Sequence, residues 1–466
     1  MNVKRNWTKI ILLVLIVMIP VAVAAVTIVS VARNGIDPRP SRPLSWLAYD
    51  TTDASAYGIR VWNSDVGRKA GDLSEPNWVN PDEYSIRLQQ SDTLRPRYFA
   101  EYPPLAIFLF RGIWPSPPPV TPMAGLLDGS YINVSRHTPR DSAQKEIWHW
   151  FAVGFQRHVM VMLAVYIIFL IVLYFGYEPS IGGIRPVALA VLPGICYFSL
   201  SRFDIVPATM IAISLLLLAR RRIVSSAVIL GIAGLIKVFP LVLIPFVICY
   251  LFRRNRRCAF LWIGIVSSTF ALGILTPLAL GSDWPSTINF LRFQMNRPPT
   301  TEHTIYGRLI PVDFGAGTNG TAFRLIVLSM ATLVLCIKPI RSLSGLMSRA
   351  AILMILLANL ATFYSPQWVL WFAPLVLPLS RKSFRLTILV VISDLANYFC
   401  YPVWWKADHG TFPIYTLVSS VDWPSIQINV RELLTWLRMI ATSALALELI
   451  RIAYKPVTTV QQEIQA

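Results

Sequence analysis

Charged side chains are scarce in this sequence. Asp, Glu, Lys and Arg make up 14% of its 466 residues, whereas hydrophobic residue types make up 55%, and the mean hydropathy is +0.55. A soluble globular domain has about 25% charged residues. The composition therefore excludes an ordinary soluble globule and predicts an all-α polytopic membrane protein.

Cysteines and the common catalytic motifs are also few. All five cysteines lie in or beside apolar runs without a CxxC pair, at Cys196, Cys249, Cys258, Cys336 and Cys400. They indicate neither a disulfide framework nor a metal site. The sequence has no HExxH, Gly-rich phosphate loop, GxSxG or DxD spacing, so metalloprotease, nucleotidase, serine hydrolase and nucleotide-sugar chemistry lack support. We expect no metal and no cofactor.

Positive charge is plentiful, with 42 Lys and Arg against 24 Asp and Glu, a formal net charge of +18. In a soluble protein this excess would suggest nucleic acid, but here much of it falls in short connections between apolar runs. These basic connections lie within 220–222, 253–257, 338–341, 381–385 and 451–455. The positive-inside rule places them in the cytoplasm, so we expect no nucleic-acid partner.

If all of these connections are cytoplasmic, the chain must cross the membrane an even number of times between one connection and the next. This requirement predicts about twelve transmembrane helices with cytoplasmic N and C termini. The predicted crossings are 10–32, 150–176, 183–201, 204–219, 223–236, 239–252, 258–280, 323–338, 349–364, 366–380, 385–401 and 431–453. The first run has about 23 apolar or small residues, longer than the 7–15 of a signal-peptide core, and is interpreted as a retained helix. Residues 454–466 form a predicted cytoplasmic tail.

Two predicted outer segments, 33–149 and 281–322, are much longer than a turn. The first contains a short apolar piece, Leu105–Trp114, which cannot span a bilayer and is interpreted as an interfacial or re-entrant helix. The whole chain, 1–466, is therefore expected to form one membrane-embedded domain whose function depends on the outer segments.

Lys237 lies just before Pro240 at the predicted tip of the hairpin 223–252. Each arm has about 14 residues, about 21 Å of helix against a hydrocarbon core of about 30 Å. The tip is therefore expected below the outer surface, where Lys237 lines a polar cavity or snorkels to the headgroups. Asp394, in the middle of a predicted helix, is an interhelical hydrogen-bond acceptor or a proton relay.

The polar motifs map to the predicted outer side, and they suit sugar transfer from a lipid-linked phosphate. That reaction needs a carboxylate base, cations for the phosphate and a groove for a lipid tail. Structural alternatives stand beside this interpretation. Asp53 could solvate a loop, while Arg202 and Asp204 could be a headgroup contact and a helix N-cap. Arg297 and Glu302 could form a surface salt bridge.

Five blocks resemble the bacterial polyprenol-phosphate-mannose-dependent α-mannosyltransferases of the C-type glycosyltransferase superfamily, which include the phosphatidylinositol-mannoside mannosyltransferases. The blocks are SPQW within Ala361–Leu379, RFD within Arg202–Arg222, IKVFP within Ala233–Pro245, YPP within Glu101–Phe110, and RPPTTEH within Asn296–Thr304. The resemblance implies a multi-helix C-type fold and an inverting transfer from a polyprenyl-phosphate sugar. It also implies an outer active site in the bacterial cytoplasmic membrane and a membrane-associated acceptor.

The resemblance also assigns residues. The family base is an Asp written D-x-x-x-Y, which Asp53 with Tyr57 fits and Asp50 with Ala54 does not. The expected donor- or acceptor-binding residues are Tyr57, Tyr102, Arg202, Asp204, Lys237, Arg297, Glu302, His303 and Gln367. This sequence departs from the family at Trp368, where Tyr is usual, and in its long first outer segment.

The sequence therefore predicts a hexosyltransferase, with mannose favoured, that takes a polyprenyl-phosphate sugar donor and a glycolipid or glycan acceptor of the cell envelope. The alternative from another class is a transporter or flippase of lipid-linked sugars. A transporter predicts inverted repeats and polar groups on both sides of the membrane. The inner connections here are short and basic, which favours the transferase.

Overall fold

The computed structural model describes most of the helical part of the chain. The described residues are 2–34, 103–115, 142–176, 183–279, 288, 291, 304–306, 309–311, 314, 317–362, 364–407 and 430–454. Within these ranges the chain is helical apart from turns, short connections and an isolated β-bridge between Tyr306 and Ile310.

Fourteen α-helices are described, numbered here in chain order. They are α1 Asn2–Asn34, α2 Pro104–Ile113, α3 Ser142–Phe175, α4 Ile184–Ala190, α5 Pro193–Ser201, α6 Ile205–Ala219, α7 Ile223–Ile236, α8 Ile244–Arg254, α9 Arg256–Ala279, α10 Gly317–Ile337, α11 Leu343–Asn359, α12 Val369–Val376, α13 Phe384–Ala407 and α14 Val430–Ala453. Three 3₁₀ segments join them, at Phe239–Leu243, Pro366–Trp368 and Leu377–Lys382.

Several of these helices are suited to a bilayer. By length and composition, the described residues contain five candidate membrane spans, or six if the bent pair α4 and α5 counts as one. The five are Ile10–Val29, Ala152–Phe175, Arg256–Thr276, Asn319–Ile337 and Leu433–Ala453. The chain is therefore a multi-pass membrane protein. The twelve crossings and the cytoplasmic termini stay predictions.

The two arms of the predicted Lys237 hairpin are short helices that pack closely in the bundle. α7 has the predicted bounds and packs against both α6 and α9. Side chains of α9 and α7 leave no room at the facing glycines: a Cβ at Gly231 would lie 2.7 Å from Thr269, and one at Gly273 would lie 2.1 Å from Leu235. At 14 residues, α7 is about 21 Å long. It therefore ends within the thickness of a bilayer core.

The predicted crossing 349–364 begins too late. α11 begins at Leu343, where the Ser342 hydroxyl accepts a hydrogen bond from the Gly345 amide at 3.1 Å. Arg349, which the sequence places at a helix boundary, is buried inside this helix. Its guanidinium donates to the Leu335 carbonyl at 2.9 Å and to the Lys338 carbonyl. A buried arginine is tolerated here because it satisfies carbonyls that the C-terminal end of α10 leaves without helical partners.

The predicted crossing 183–201 is interrupted. α4 and α5 meet at an angle of 68°, because Pro193 begins α5 and has no amide hydrogen to continue the preceding helix. Asp394 of α13 caps α5 from another helix, accepting from the Gly194 amide at 2.9 Å and the Ile195 amide at 2.8 Å. Asp394 is thus confirmed as an interhelical hydrogen-bond acceptor.

Asp394→Ala is expected to destabilise the fold by about 1–3 kcal/mol, because it leaves two buried amides of α5 without an acceptor. Asp394→Asn keeps one acceptor oxygen and should cost less. Unfolding of the purified protein in mixed micelles with increasing SDS would measure both variants. Equal stability of Asp394→Ala and the wild type would show that the cap contributes nothing.

The short apolar piece of the first long segment is confirmed as a helix, α2. It packs against α3, α7 and α9. Phe110 is fully buried with its ring centroid 5.1 Å from that of Phe203. A Cβ at Gly154 of α3 would lie 2.1 Å from the Trp114 ring, so only glycine lets the two approach this closely. Helix α2 therefore attaches this part of the long segment 33–149 to the bundle.

Candidate functional site

Interrupted helices meet at one end of the bundle. α5 gives way to α6 at Arg202–Asp204, α7 ends just before Lys237, and the segment 360–368 separates α11 from α12. α6 packs against α7 and α12, which brings these breaks together. The basic turn Arg220–Arg222 joins the opposite ends of α6 and α7. Non-helical backbone at membrane depth occurs where it is buried in protein or lines a water-filled cavity, so this end is the candidate functional site.

A buried ion pair lies at the centre of this site. The Lys237 Nζ lies 2.6 Å from the Asp204 Oδ1, and the exposed fractions of the two side chains are 14% and 0%. The Trp371 indole N–H donates to the same oxygen at 2.7 Å. A carboxylate hidden from water is stable only with such partners. Lys237 therefore points into the protein, so the snorkelling alternative is wrong.

Asp204 occupies the N-cap position of α6 but does not act as an N-cap. Its side chain accepts no hydrogen bond from the first turn of this helix. The Lys237 ammonium, 33 residues later, competes successfully for the carboxylate because a charge-assisted hydrogen bond is stronger than one to a backbone amide. The N-cap alternative for Asp204 is therefore wrong. Among the described residues, its second oxygen, Oδ2, has no hydrogen-bond donor.

Two aromatic rings lie beside the ammonium, and two more pack against one of them. The Lys237 Nζ lies 4.9 Å from the ring centroid of Phe203 and 5.5 Å from that of Trp371. The Phe239 ring stacks on Trp371 at 4.6 Å with an interplanar angle of 7°, and the Trp368 ring lies 4.5 Å from Trp371 on a tilt of 30°. These contacts favour a cation and keep it partly dehydrated, which strengthens its interaction with any anion that enters.

Two further predicted residues lie on segments next to those that carry the ion pair. Arg202 is buried at the C-cap of α5, two residues before Asp204. Gln367 is buried in a 3₁₀ turn, where its side-chain oxygen accepts a hydrogen bond from the Ser365 hydroxyl at 2.5 Å. This turn contacts α5. The structure thus brings Lys237 and Asp204 into contact and holds Arg202 and Gln367 on the neighbouring segments.

The remaining predicted site residues lie outside the described residues, and their assignment stays a prediction. They are Asp53, Tyr57, Tyr102, Arg297, Glu302 and His303. Within the described ranges, no three His, Cys, Asp or Glu side chains are grouped to hold a metal ion.

The last two helices contribute residues that the sequence prediction missed. The guanidinium carbon of Arg438 on α14, a residue only 2% exposed, lies 3.3 Å from the ring centroid of Tyr364. The Tyr364 hydroxyl donates to the Asn397 side-chain oxygen, and the Asn397 amide donates to the Pro366 carbonyl at 2.7 Å. An arginine within the apolar part of a predicted membrane helix was the available signal. The turn that carries Gln367 is therefore held by α13 and α14.

Comparison with known proteins agrees with this architecture. Residues 147–366 match the sequence profile of Glycosyltransferase family 87. The matched segment, just under half of the chain, begins in α3 and ends at Pro366, so it contains Arg202, Asp204 and Lys237. No curated protein matches the chain. The match and the helical bundle support a C-type-like membrane glycosyltransferase.

Proposed function

We propose that this glycosyltransferase moves a hexose, mannose by its sequence resemblance, from a polyprenyl-phosphate carrier to a hydroxyl of a membrane-associated glycolipid or glycan. The observation that carries the proposal is the buried Lys237–Asp204 pair among interrupted helices, inside the segment that matches the glycosyltransferase family. A fixed cation at membrane depth suits a phosphate whose carrier lipid lies in the bilayer.

The proposed reaction is a single inverting displacement. The Asp53 carboxylate takes the proton of the acceptor hydroxyl, whose oxygen forms the new bond to C1 of the hexose. The bond between C1 and the phosphate oxygen breaks, and its electron pair leaves with the polyprenyl monophosphate. The phosphate group thereby gains one negative charge, so cations beside it stabilise the transition state more than the bound donor. No metal is needed in this scheme.

The other predicted residues take supporting roles. Arg202 and Lys237 are proposed to face the phosphate, because Arg202 is buried, the Lys237 side chain is only 14% exposed, and both lie beside the break between α5 and α6. When the site is empty, Asp204 balances the charge of Lys237, which lowers the cost of keeping an ammonium there. The proposed sugar and acceptor contacts come from Tyr57, Tyr102, Arg297, Glu302, His303 and Gln367.

The site is proposed to face outward from the bacterial cytoplasmic membrane. Helices α6 and α7 run from the candidate site to the turn Arg220–Arg222. Three consecutive arginines are retained on the cytoplasmic side of a membrane. This supports an active site that opens to the other side.

The proposal is tested with membranes that contain the wild-type protein and matched membranes that lack it. Both receive a labelled polyprenyl-phosphate hexose and cell-envelope lipids. We expect the hexose to appear in a glycolipid or glycan only with the protein, with the configuration at C1 inverted. Flux of the donor across proteoliposomes without a glycosidic bond would instead favour the transporter or flippase.

A further inference from the structure

We infer that Trp371 is a positioning residue: its indole N–H orients Asp204, which holds the Lys237 ammonium where the donor phosphate binds. The inference rests on the proposed function. Trp371, like Gln367, lies beyond Pro366, where the family match ends. Trp371 itself need not touch the donor.

The hydrogen bonds around Asp204 support this role. Its Oδ1 accepts from both the Trp371 indole and the Lys237 ammonium, at 2.7 and 2.6 Å. A carboxylate rotates over a broad range about its last torsion, and an ammonium on four methylenes has many rotamers. An indole has a single N–H with a fixed direction. Trp371 can therefore fix the orientation of a carboxylate that Lys237 alone would leave free to turn.

The Trp371 ring is itself held in place. Phe239 stacks on it almost parallel, and Trp368 packs beside it. Trp371 is 8% exposed and projects from α12, which packs against α6, the helix that begins just after Asp204. The direction of its N–H is thus set by packing before any ligand arrives. A preorganised ammonium then needs little rearrangement when the phosphate binds, which favours both binding and transfer.

Trp371→Phe separates the hydrogen bond from the packing. Phenylalanine keeps an aromatic ring for the stack but removes the N–H donor. The matched control is Trp262→Phe. Trp262 is fully buried and Trp371 nearly so, but the Trp262 indole donates to the Ser226 hydroxyl at 3.3 Å, near the opposite, basic end of α7. Each variant loses one tryptophan N–H, and only one of these bonds lies in the candidate site.

The readouts are donor kinetics, acceptor kinetics and direct binding of a short-chain polyprenyl monophosphate. For Trp371→Phe we expect kcat/KM for the donor to fall about tenfold or more, with monophosphate binding weakened to a similar degree and the KM for the acceptor unchanged. Trp262→Phe should match the wild type in all three. SDS-induced unfolding of both variants reports any general loss of stability.

Wild-type donor kinetics and monophosphate binding in Trp371→Phe would overturn the inference, as would equal losses in the two variants. A double-mutant cycle with Lys237→Met gives a further criterion: Trp371→Phe should weaken monophosphate binding little when Lys237 is absent. If the wild type binds the monophosphate but transfers no hexose, the proposed function fails while the binding comparison still decides the role of Trp371. If the wild type does not bind the monophosphate, both fail.

Discussion

Asp53→Asn is expected to lower the rate of hexose transfer by about 10²–10⁴-fold, the usual contribution of a general base. An amide has nearly the shape of a carboxylate but cannot take the proton from the acceptor hydroxyl. The new glycosidic bond would then have to form from a neutral hydroxyl. Initial rates with a labelled polyprenyl-phosphate hexose measure the effect, and donor binding should change little because the base acts on the acceptor.

Asp50→Asn is the matched control for this experiment. Asp50 lies three residues before Asp53 in the same polar segment, but Ala54 stands four residues after it where the motif requires tyrosine. We expect a much smaller loss of rate in this variant. Full activity of Asp53→Asn, or equal losses in the two variants, would remove the base assignment and leave the membrane glycosyltransferase without a proposed base.

Lys237→Met is expected to destabilise the protein by about 3–5 kcal/mol, the cost of leaving one charge of a buried ion pair without its partner. Methionine fills much of the volume of the lysine side chain, so the loss reports mainly on charge. Asp204, with no exposed surface, would retain only the Trp371 N–H among its present donors. SDS-induced unfolding in mixed micelles measures the change, and donor binding should be weakened as well.

The double variant Lys237→Met/Asp204→Asn separates the charge from the packing. Asparagine keeps an oxygen that can accept from Trp371, while it removes the buried negative charge. We expect the double variant to regain most of the stability that Lys237→Met loses, although it should stay inactive in transfer. A double variant as unstable as the single one would show that the ion pair is not the source of the loss.

Much of the helical architecture could be predicted from the sequence because it depends on local patterns. The bounds of α7 follow from an apolar run between Arg222 and Lys237, and an apolar piece after two prolines predicts α2. Lys237 could be placed near a helix break because Pro240 follows it. A charge at the end of a helix too short to span a bilayer needs a polar environment, whichever partner supplies it.

The partners themselves could not be predicted, because they are far apart in sequence. An aspartate before a helix usually acts as a cap, and nothing local shows that Asp204 pairs with a lysine 33 residues later. In the sequence, Trp371 has the same apolar neighbours as any buried tryptophan. Its hydrogen bond to Asp204 joins residues that are 167 positions apart. In the sequence, Arg349 suggests a helix boundary. In the structure, it lies inside α11 and donates to a carbonyl of the preceding helix.

The hydrogen bonds between Asp394 and the first turn of α5 also affect biosynthesis. The carboxylate follows the Gly194 amide by 200 residues. At about 5–20 residues per second, α5 leaves the ribosome about 10–40 s before its cap is made. During this interval the amides of its first turn must rely on water, lipid headgroups or insertion factors. Capping of the N-terminal end of α5, the helix whose other end carries Arg202, therefore waits for α13, so we expect the nascent chain to stay inactive until α13 has been made.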